Sequence, residues 1–233
     1  DEAFLAKAQK TWADWRKMLD EKADPARSKD RIHPQALART VSDLAAHDAV
    51  FCIDTGEVTL WTANWLRPNG RQQVTGSFNN AAVGVALGMA NGAQALDRGR
   101  QVIAMCGDGG FAMLMQEFFT AAQHDLPIKC FVFNNGGWGL VHLEMEEAGL
   151  PVFYGAKFKN PDFAMFAQAC GGTGFRVTRP QDLRETVARA LAAPGPVIVD
   201  VAVDPGELPA MPHIDPGQIW RFGLGKAREM LGR

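Results

Sequence analysis

The chain has 233 residues, of which 47% are hydrophobic and 21% charged, and its formal net charge is −2. This composition predicts a soluble globular protein with one sizeable core. The near-neutral charge and the lack of a basic block argue against a nucleic-acid partner, and no apolar stretch is long enough to span a bilayer. The sequence shows no signal peptide, and its four cysteines lack metal-ligand spacing, so we expect reduced thiols and a cytoplasmic location.

The N-terminal segment predicts an amphipathic helix followed by a linker. Apolar side chains recur at roughly helical intervals from Phe4 to Leu19, with charged residues between them. Residues 20–30 are polar and include Pro25, which is typical of a linker. Two alternatives stay open for the helix: it packs on the domain that follows, or it is the end of a preceding domain. Our division of the chain is a helix and linker from a preceding domain (1–30), a main domain (31–205) and a C-terminal tail (206–233).

The main domain alternates helical and strand-like segments, which predicts an α/β fold. The expected helices cover about 34–46, 81–96, 111–124, 162–170 and 180–193. The expected strands cover 49–53, 101–106, 128–133, 175–178 and 196–203. Short apolar strands separated by helices favour a mostly parallel sheet that is covered on both faces. We therefore expect a three-layer α/β/α fold with a mostly parallel sheet of about six strands, followed by a tail with a weak helix at about 219–231.

The most informative motif is the run Gly107-Asp108-Gly109-Gly110, with the pair Asn134-Asn135 further along the chain. Each part follows a predicted strand, so both loops can open at one edge of a parallel sheet, where such folds bind ligands. The glycines allow the backbone to approach a phosphate closely, and a helix N-terminus favours an anion. Asp108 would repel the phosphate unless a cation lies between them. Mg²⁺ accepts carboxylate, amide and phosphate oxygens, so the motif predicts a phosphate bridged by Mg²⁺.

This motif resembles the signature of the thiamine diphosphate (ThDP) enzymes, which is Gly-Asp-Gly followed some two dozen residues later by Asn-Asn. The resemblance implies that Asp108, the amide of Asn135 and the backbone carbonyl of Gly137 hold Mg²⁺ against the diphosphate. It also implies that Gly107, Gly109, Gly110 and Trp138 belong to the cofactor site. An ordinary strand-to-helix turn with an unrelated Asn-Asn turn is the alternative.

The resemblance extends from Ile32 to about Leu208 and is closest to the C-terminal, diphosphate-binding domain of pyruvate oxidase and pyruvate:quinone dehydrogenase. It rests on four stretches: Ile32-His33-Pro34-Gln35, Gly76-Ser77-Phe78-Asn79, Met105-Cys106-Gly107-Asp108-Gly109-Gly110-Phe111 and Phe133-Asn134-Asn135. The opening helix resembles the end of the FAD-binding domain of those enzymes. Acetolactate synthase and decarboxylase relatives are expected to share only the metal motif and the general order of elements.

Two further segments are assigned by the resemblance. Thr55 and Gly56 are expected beside the diphosphate, whereas Glu57 stands where a small polar or amide residue is usual and is left open. A surface turn is the alternative for this segment. Val83 is expected under the cofactor, and the carbonyl of Ala81 is expected to accept its amino proton. Val is smaller than the usual Met, Leu or Ile, and a plain helix of small residues is the alternative.

The segment after the metal loop gives one catalytic candidate. Leu140 stands where pyruvate-oxidising members have an aromatic residue close to the substrate. Glu144 stands where they have an acid, and a carboxylate near the reacting carbonyl can steer protons. A solvated surface charge is an equally good interpretation of Glu144.

The resemblance implies an enzyme that oxidatively decarboxylates a 2-oxo acid such as pyruvate with ThDP and Mg²⁺, and with FAD held mainly by an absent domain. A glutamate that the cofactor needs lies in the pyrimidine-binding N-terminal domain of the same or a neighbouring subunit, so we expect half an active site, inactive alone, in a homo-oligomer. Alternatives are an acetolactate synthase-like or decarboxylase-like domain, and a non-catalytic Mg²⁺-phosphate or nucleotide-binding module. The final helix, which mixes apolar residues with Arg221, Lys226, Arg228 and Arg233, predicts either contact with quinone and the cytoplasmic membrane surface or packing on its own or a neighbouring subunit.

Overall fold

The chain is described by a computed structural model over residues 1–24, 27–28, 30–151, 155–157, 159–210 and 216–231, without the side chain of Gln218. Its strands are β1 (Val50–Ile53), β2 (Gln73–Gly76), β3 (Val102–Gly107), β4 (Lys129–Asn134), β5 (Thr173–Val177) and β6 (Val197–Ala202). Its helices are α1 (Glu2–Lys22), α2 (Pro34–Leu44), α3 (Glu57–Trp65), α4 (Val85–Leu96), α5 (Asp108–Leu114), α6 (Glu117–Gln123), α7 (Gly139–Glu147), α8 (Phe163–Ala169), α9 (Leu183–Ala192) and α10 (Pro216–Met230).

The strands form one parallel sheet in the order β2-β1-β3-β4-β6-β5. Successive side chains of a strand point to opposite faces, so β1 sends Phe51 and Ile53 to one core and Val50 and Cys52 to the other. Helices α2, α3 and α9 cover the first face, and α4, α5, α6 and α8 cover the second. This arrangement confirms the predicted three-layer α/β/α fold with a six-stranded parallel sheet.

The sheet reverses its direction of growth between β1 and β3. From β1 the chain crosses to β2 on one side, and from β3 it continues to β4 on the other. Because parallel crossovers are right-handed, the two connections pass over opposite faces and leave a crevice at the carboxyl ends of β1 and β3. The loops after β1, β3 and β4 therefore open at one edge, as the motif predicts.

Two predicted helices differ from the observed ones. The helix expected over 81–96 begins at Val85, because Ala81 and Gly84 have positive φ angles of 49° and 90° that no right-handed helix accepts. The helix expected over 111–124 is divided into α5 and α6 by a tighter turn in which Phe118 N–H donates to Met115 O. Elements β2, α3 and α7 have no counterpart among the predictions.

The two terminal helices pack differently on the domain. Helix α1 contributes Leu19 to the core, while Phe4 and Trp12 remain 72% and 63% exposed. Helix α10 packs on α7 of its own chain, where Lys226 pairs with Glu146 and Arg228 Nη1 donates to Gly149 O at 2.7 Å. Arg233, part of the predicted membrane-facing set, lies outside the described residues. Of the helices described, none combines the length and apolar character needed to cross a bilayer.

Candidate functional site

Asp108 lies at the junction of β3 and α5 and is almost fully buried. Its Oδ1 accepts a hydrogen bond from Gly109 N at 2.8 Å, and its Oδ2 accepts one from Gly136 N at 2.7 Å. The second bond comes from the loop that follows β4. The two halves of the motif are therefore joined directly, through the carboxylate that the sequence predicts as a metal ligand.

Asn135 and Gly137 line the same pocket as Asp108. The amide of Asn135 is oriented from both sides, since its Nδ2 donates to Glu57 Oε2 at 3.3 Å and its Oδ1 accepts from Gly137 N at 3.1 Å. The pocket thus offers a carboxylate, an amide oxygen and a backbone carbonyl. These are the hard oxygen ligands that Mg²⁺ takes in proteins, so the residues present fit the predicted ion.

Gly109 and Gly110 also line the pocket, and their lack of side chains is required by their neighbours. A Cβ on Gly109 would lie 2.5 Å from Cζ3 of the Trp138 ring, and one on Gly110 would overlap the carboxylate of Asp54. The backbone after β3 is therefore bare toward the pocket. This geometry allows the close approach of a phosphate, and Gly107 and Trp138 complete this wall.

The turn after β1 forms the opposite wall, with Thr55, Gly56 and Glu57 all lining the pocket. Asp54 fixes this turn, because its Oδ1 accepts from Thr55 N at 2.9 Å and from Gly84 N at 2.8 Å. Its Oδ2 is buried with no hydrogen-bond partner among the described residues. Burial raises the pKa of Asp54. Asp54 thus connects the turn to the segment before α4.

That segment carries the residues predicted to hold the pyrimidine ring. Val83 lines the pocket beside Gly110, whereas Ala81 is exposed and is not among the lining residues. The positive φ of Ala81 is uncommon for a residue with a Cβ, and this backbone conformation costs on the order of 1–3 kcal/mol. Such strained residues cluster at functional sites. Its N–H donates to Ser77 O at 2.8 Å. The role of the Ala81 carbonyl stays a prediction.

The predicted catalytic acid lies apart from the other residues. Glu144 is exposed on α7 and does not line the pocket. The buried acid of α7 is Glu146, which pairs with Lys226, and the glutamate that lines the pocket is Glu57. The catalytic role of Glu144 therefore stays a prediction. Leu140 does line the pocket, in agreement with its expected proximity to the substrate.

A hydrogen-bonded network behind Asp108 was missed by sequence reasoning. Asn160 Nδ2 donates to Asp108 Oδ2 at 2.7 Å and to Asn134 Oδ1 at 2.9 Å. Asn134 Nδ2 then donates to Asp200 Oδ1 at 2.8 Å, and Arg176 Nη1 donates to Asp200 Oδ2 at 3.0 Å. The visible signal was Asp200, a charged residue within an apolar strand. No pattern in the sequence indicates that Asn160 contacts Asp108.

The electrostatics of the pocket favour a cation. Burial raises the pKa of Asp108 to about 6, although hydrogen bonds from Asn160, Gly136 and Gly109 act in the opposite direction. Burial raises the pKa of Glu57 to about 7, and the negative charges of Asp108 and Glu146 add to this shift. Two carboxyl groups in one pocket repel each other when ionised, and a divalent cation relieves that repulsion.

Comparison with known proteins gives a family match. The model of "Thiamine pyrophosphate enzyme, C-terminal TPP binding domain", where thiamine pyrophosphate (TPP) is another name for ThDP, matches residues 54–201. YdaP of Bacillus subtilis (strain 168), provisionally named a thiamine pyrophosphate-containing protein, is 34% identical over 212 residues, which are 91% of this chain and 36% of YdaP. The acetolactate synthase large subunit of Porphyra purpurea is 32% identical over 208 residues, with 86% of this chain and 34% of that protein covered.

The catabolic acetolactate synthase of Raoultella terrigena is 30% identical over 173 residues, with coverages of 74% and 31%. The chain spans about a third of the length of these relatives. Their names do not support the narrower resemblance to pyruvate oxidase, which stays a prediction. The chain belongs to the thiamine pyrophosphate enzymes and contains their C-terminal TPP-binding domain.

Proposed function

We propose that this domain supplies the diphosphate and Mg²⁺ half of an active site that decarboxylates a 2-oxo acid. One observation carries the proposal: the carboxylate of Asp108 accepts a hydrogen bond from the loop of Asn135 and Gly137, and all three predicted metal ligands line one pocket. The bare backbone of Gly109 and Gly110 beside them suits a phosphate.

Within this proposal each wall of the pocket has a task. When bound, ThDP supplies the electron sink for loss of CO₂. Asp108, Asn135 and Gly137 hold the Mg²⁺ that neutralises the diphosphate. Val83 and Trp138 contribute the apolar contacts that orient the rest of the cofactor and exclude water from it. The resemblance assigns the glutamate that activates the cofactor to the pyrimidine-binding domain, which is why we expect that domain to complete the site.

The competing interpretation is a nucleotide-binding module with the same loop geometry, and a thermal-shift comparison separates the two. ThDP with Mg²⁺ should raise the melting temperature more than ATP with Mg²⁺ does. Asp108→Ala should remove the ThDP effect while the far-UV circular dichroism spectrum stays unchanged. Larger stabilisation by the nucleotide would reject the ThDP assignment.

Two reactions are candidates for the step that follows decarboxylation. Oxidation, with electrons passing to FAD and then to quinone, follows from the resemblance to pyruvate oxidase. Transfer of the carbon to a second 2-oxo acid is favoured by the names of the acetolactate synthase relatives and by Leu140, which replaces the aromatic residue of the oxidising members. Incubation with pyruvate in the presence of the pyrimidine-binding domain distinguishes them: acetolactate indicates carbon transfer, and reduction of an electron acceptor indicates oxidation.

Assembly and location belong to the same proposal. We infer a homo-oligomer, because a site that needs a second domain lies at an interface. A cytoplasmic location, with or without contact at the membrane surface, is proposed on the cysteine content and on the composition of the tail. All four cysteines are free thiols, and three of them are buried.

A further inference from the structure

Glu57 occupies a defined place in the pocket. It is the first residue of α3, and its Oε2 accepts a hydrogen bond from Asn135 Nδ2 at 3.3 Å. The first residue of α7, Gly139, makes room for it, because a Cβ at this position would overlap the Glu57 carboxylate. Two elements distant in sequence therefore accommodate this one carboxylate.

The charge of Glu57 is not neutralised by a neighbouring cation. Within the described part of the chain, the structure records no ion pair for Glu57. The Lys and Arg side chains that line a neighbouring cavity with Glu57 have other partners: Lys226 is paired with Glu146, Arg31 with Asp204 and Lys157 with Glu229. The groups that do act on Glu57 electrostatically are the negative charges of Asp108 and Glu146. Of the three carboxylates that line the pocket, Asp204 is paired with Arg31, whereas Glu57 and Asp108 have no ion pair among the described residues.

This arrangement has two consequences for a metal-bound diphosphate. First, the bond from Nδ2 to Glu57 fixes the Asn135 amide, so that Oδ1 is the atom left to meet a cation, as partners behind metal ligands do. Second, a diphosphate entering without a cation would meet two like charges at close range. A divalent cation placed between them attracts both the diphosphate and the two carboxylates, so the repulsion is replaced by attraction.

We propose that Glu57 increases the dependence of diphosphate binding on a divalent cation, by holding Asn135 for the metal and by repelling a metal-free diphosphate. The proposal rests on the proposed function, since it concerns the same ThDP and Mg²⁺ site. It assigns a positioning and selectivity role to a residue whose charge departs from the family pattern. A glutamine at this position would keep the hydrogen bond to Asn135 but not the repulsion.

The test measures ThDP affinity by calorimetry with EDTA and with saturating Mg²⁺, at pH 8.5. The dissociation constant in EDTA divided by the dissociation constant with Mg²⁺ reports how strongly ThDP binding depends on the metal. Glu57→Gln should reduce this ratio by about tenfold, mainly through tighter metal-free binding, because removing one charge a few ångströms from the ligand is worth on the order of 1 kcal/mol or more. Glu57→Asp keeps the charge and should keep most of the ratio. Glu147→Gln removes a carboxylate from the end of α7 outside the pocket and should leave the ratio unchanged.

Binding of Mg²⁺ alone gives a second readout. Glu57→Gln should weaken it by about tenfold, since the metal loses an attractive charge. Circular dichroism checks that each variant is folded. An unchanged ratio, or weaker metal-free ThDP binding in Glu57→Gln, would overturn the proposal. If the unmodified protein binds no ThDP with Mg²⁺, the proposed function itself fails, and the inference falls with it.

Discussion

Asp108 shows how a buried charge is kept in this fold. The side chain is 1% exposed, and such burial disfavours ionisation. Three N–H donors, from Gly109, Gly136 and Asn160, partly offset that cost. Without a cation the compensation is incomplete, and the pKa of Asp108 stays raised at about 6. The proposed metal-binding role would account for a buried carboxylate whose hydrogen bonds only partly compensate its burial.

The raised pKa of Asp108 predicts a pH effect of defined sign. The carboxyl keeps its proton up to about pH 6 in the metal-free folded protein, whereas its ordinary pKa is 3.8. As pH rises from about 4 to about 6, the unfolded chain releases this proton first. The unmodified protein should then lose stability relative to Asp108→Asn, and the difference should level off above pH 6.

Urea unfolding in EDTA at several pH values measures this difference. Mg²⁺ should stabilise the unmodified protein above pH 6 but not the Asp108→Asn variant, because only the ionised carboxylate attracts the metal. A stability difference that does not change between pH 4 and 6 would contradict the assigned pKa. Comparing the unmodified protein with Asp108→Asn at each pH cancels the contributions of titrating groups that do not interact with Asp108.

Asn160 is predicted to act on the metal through Asp108. Its amide donates to both Asp108 and Asn134, so Asn160→Ala releases the carboxylate from one side. Loss of such a partner behind a metal ligand should weaken Mg²⁺ affinity by about 10- to 100-fold. Calorimetry measures the effect. Asn69→Ala is the control, since Asn69 makes comparable bonds in a surface turn, and Mg²⁺ affinity should not change there.

At the scale of elements, the sequence predicts best those strands that are buried on both faces. Strands β1, β3 and β4 lie within one residue of the predicted ranges. Strands that are buried on both faces are continuous apolar runs, which are easy to recognise in a sequence. Edge strand β2 was missed, since Gln73, Val74 and Thr75 are exposed and give no apolar run. The start of α4 depends on a hydrogen bond from Gly84 to Asp54, which is 30 residues away in sequence.

The same distinction applies to the site. Asp108 and Asn135 were predictable because a motif with a known spacing carries them. The contact of Glu57 with Asn135 and that of Asn160 with Asp108 join loops 78 and 52 residues apart in sequence. Such contacts depend on the order of strands in the sheet, and no local pattern encodes that order.

The packing of α10 on α7 gives a prediction with an internal control. A Cβ on Gly225 would lie 3.1 Å from Leu150 O and 3.2 Å from Glu146 Cα, whereas one on Gly223 has nothing within 4 Å. Gly225→Leu should therefore overpack the contact, at a cost of about 1–3 kcal/mol. Gly223→Leu gains the same helix propensity without that clash.

Hydrogen exchange of α10 measures the outcome. Exchange should accelerate by about tenfold or more in Gly225→Leu, which corresponds to the lower part of that energy range. It should stay equal or become slower in Gly223→Leu. Equal behaviour of the two variants would mean that α10 does not rest on α7 through Gly225. Ion pairing between Lys226 and Glu146 would then be the main attachment.

At the scale of the whole molecule, the chain exposes two surfaces that we expect a further domain to cover. The chain spans about a third of its relatives, and its pocket is lined mainly by the loops after β1, β3 and β4, together with Val83, Pro34 and Asp204. Helix α1 extends an apolar face away from the core, next to a groove bordered by Leu60 and Asn64 of α3. Both surfaces suit contact with another protein domain.

The apolar face of α1 should make the chain self-associate. Phe4, Leu5 and Trp12 are 72%, 56% and 63% exposed, and a contiguous apolar patch of this kind is an association site. Aromatic side chains dominate the energy of such contacts, so replacing Phe4 and Trp12 together by Gln should weaken the association by about tenfold or more. Leu96→Gln removes a 90% exposed side chain at the end of α4, outside the patch, and should have no effect. Sedimentation equilibrium over a range of concentrations compares the three proteins. A monomeric unmodified chain at high concentration would contradict the prediction. Equal weakening by Leu96→Gln would show that association does not depend on the α1 face in particular.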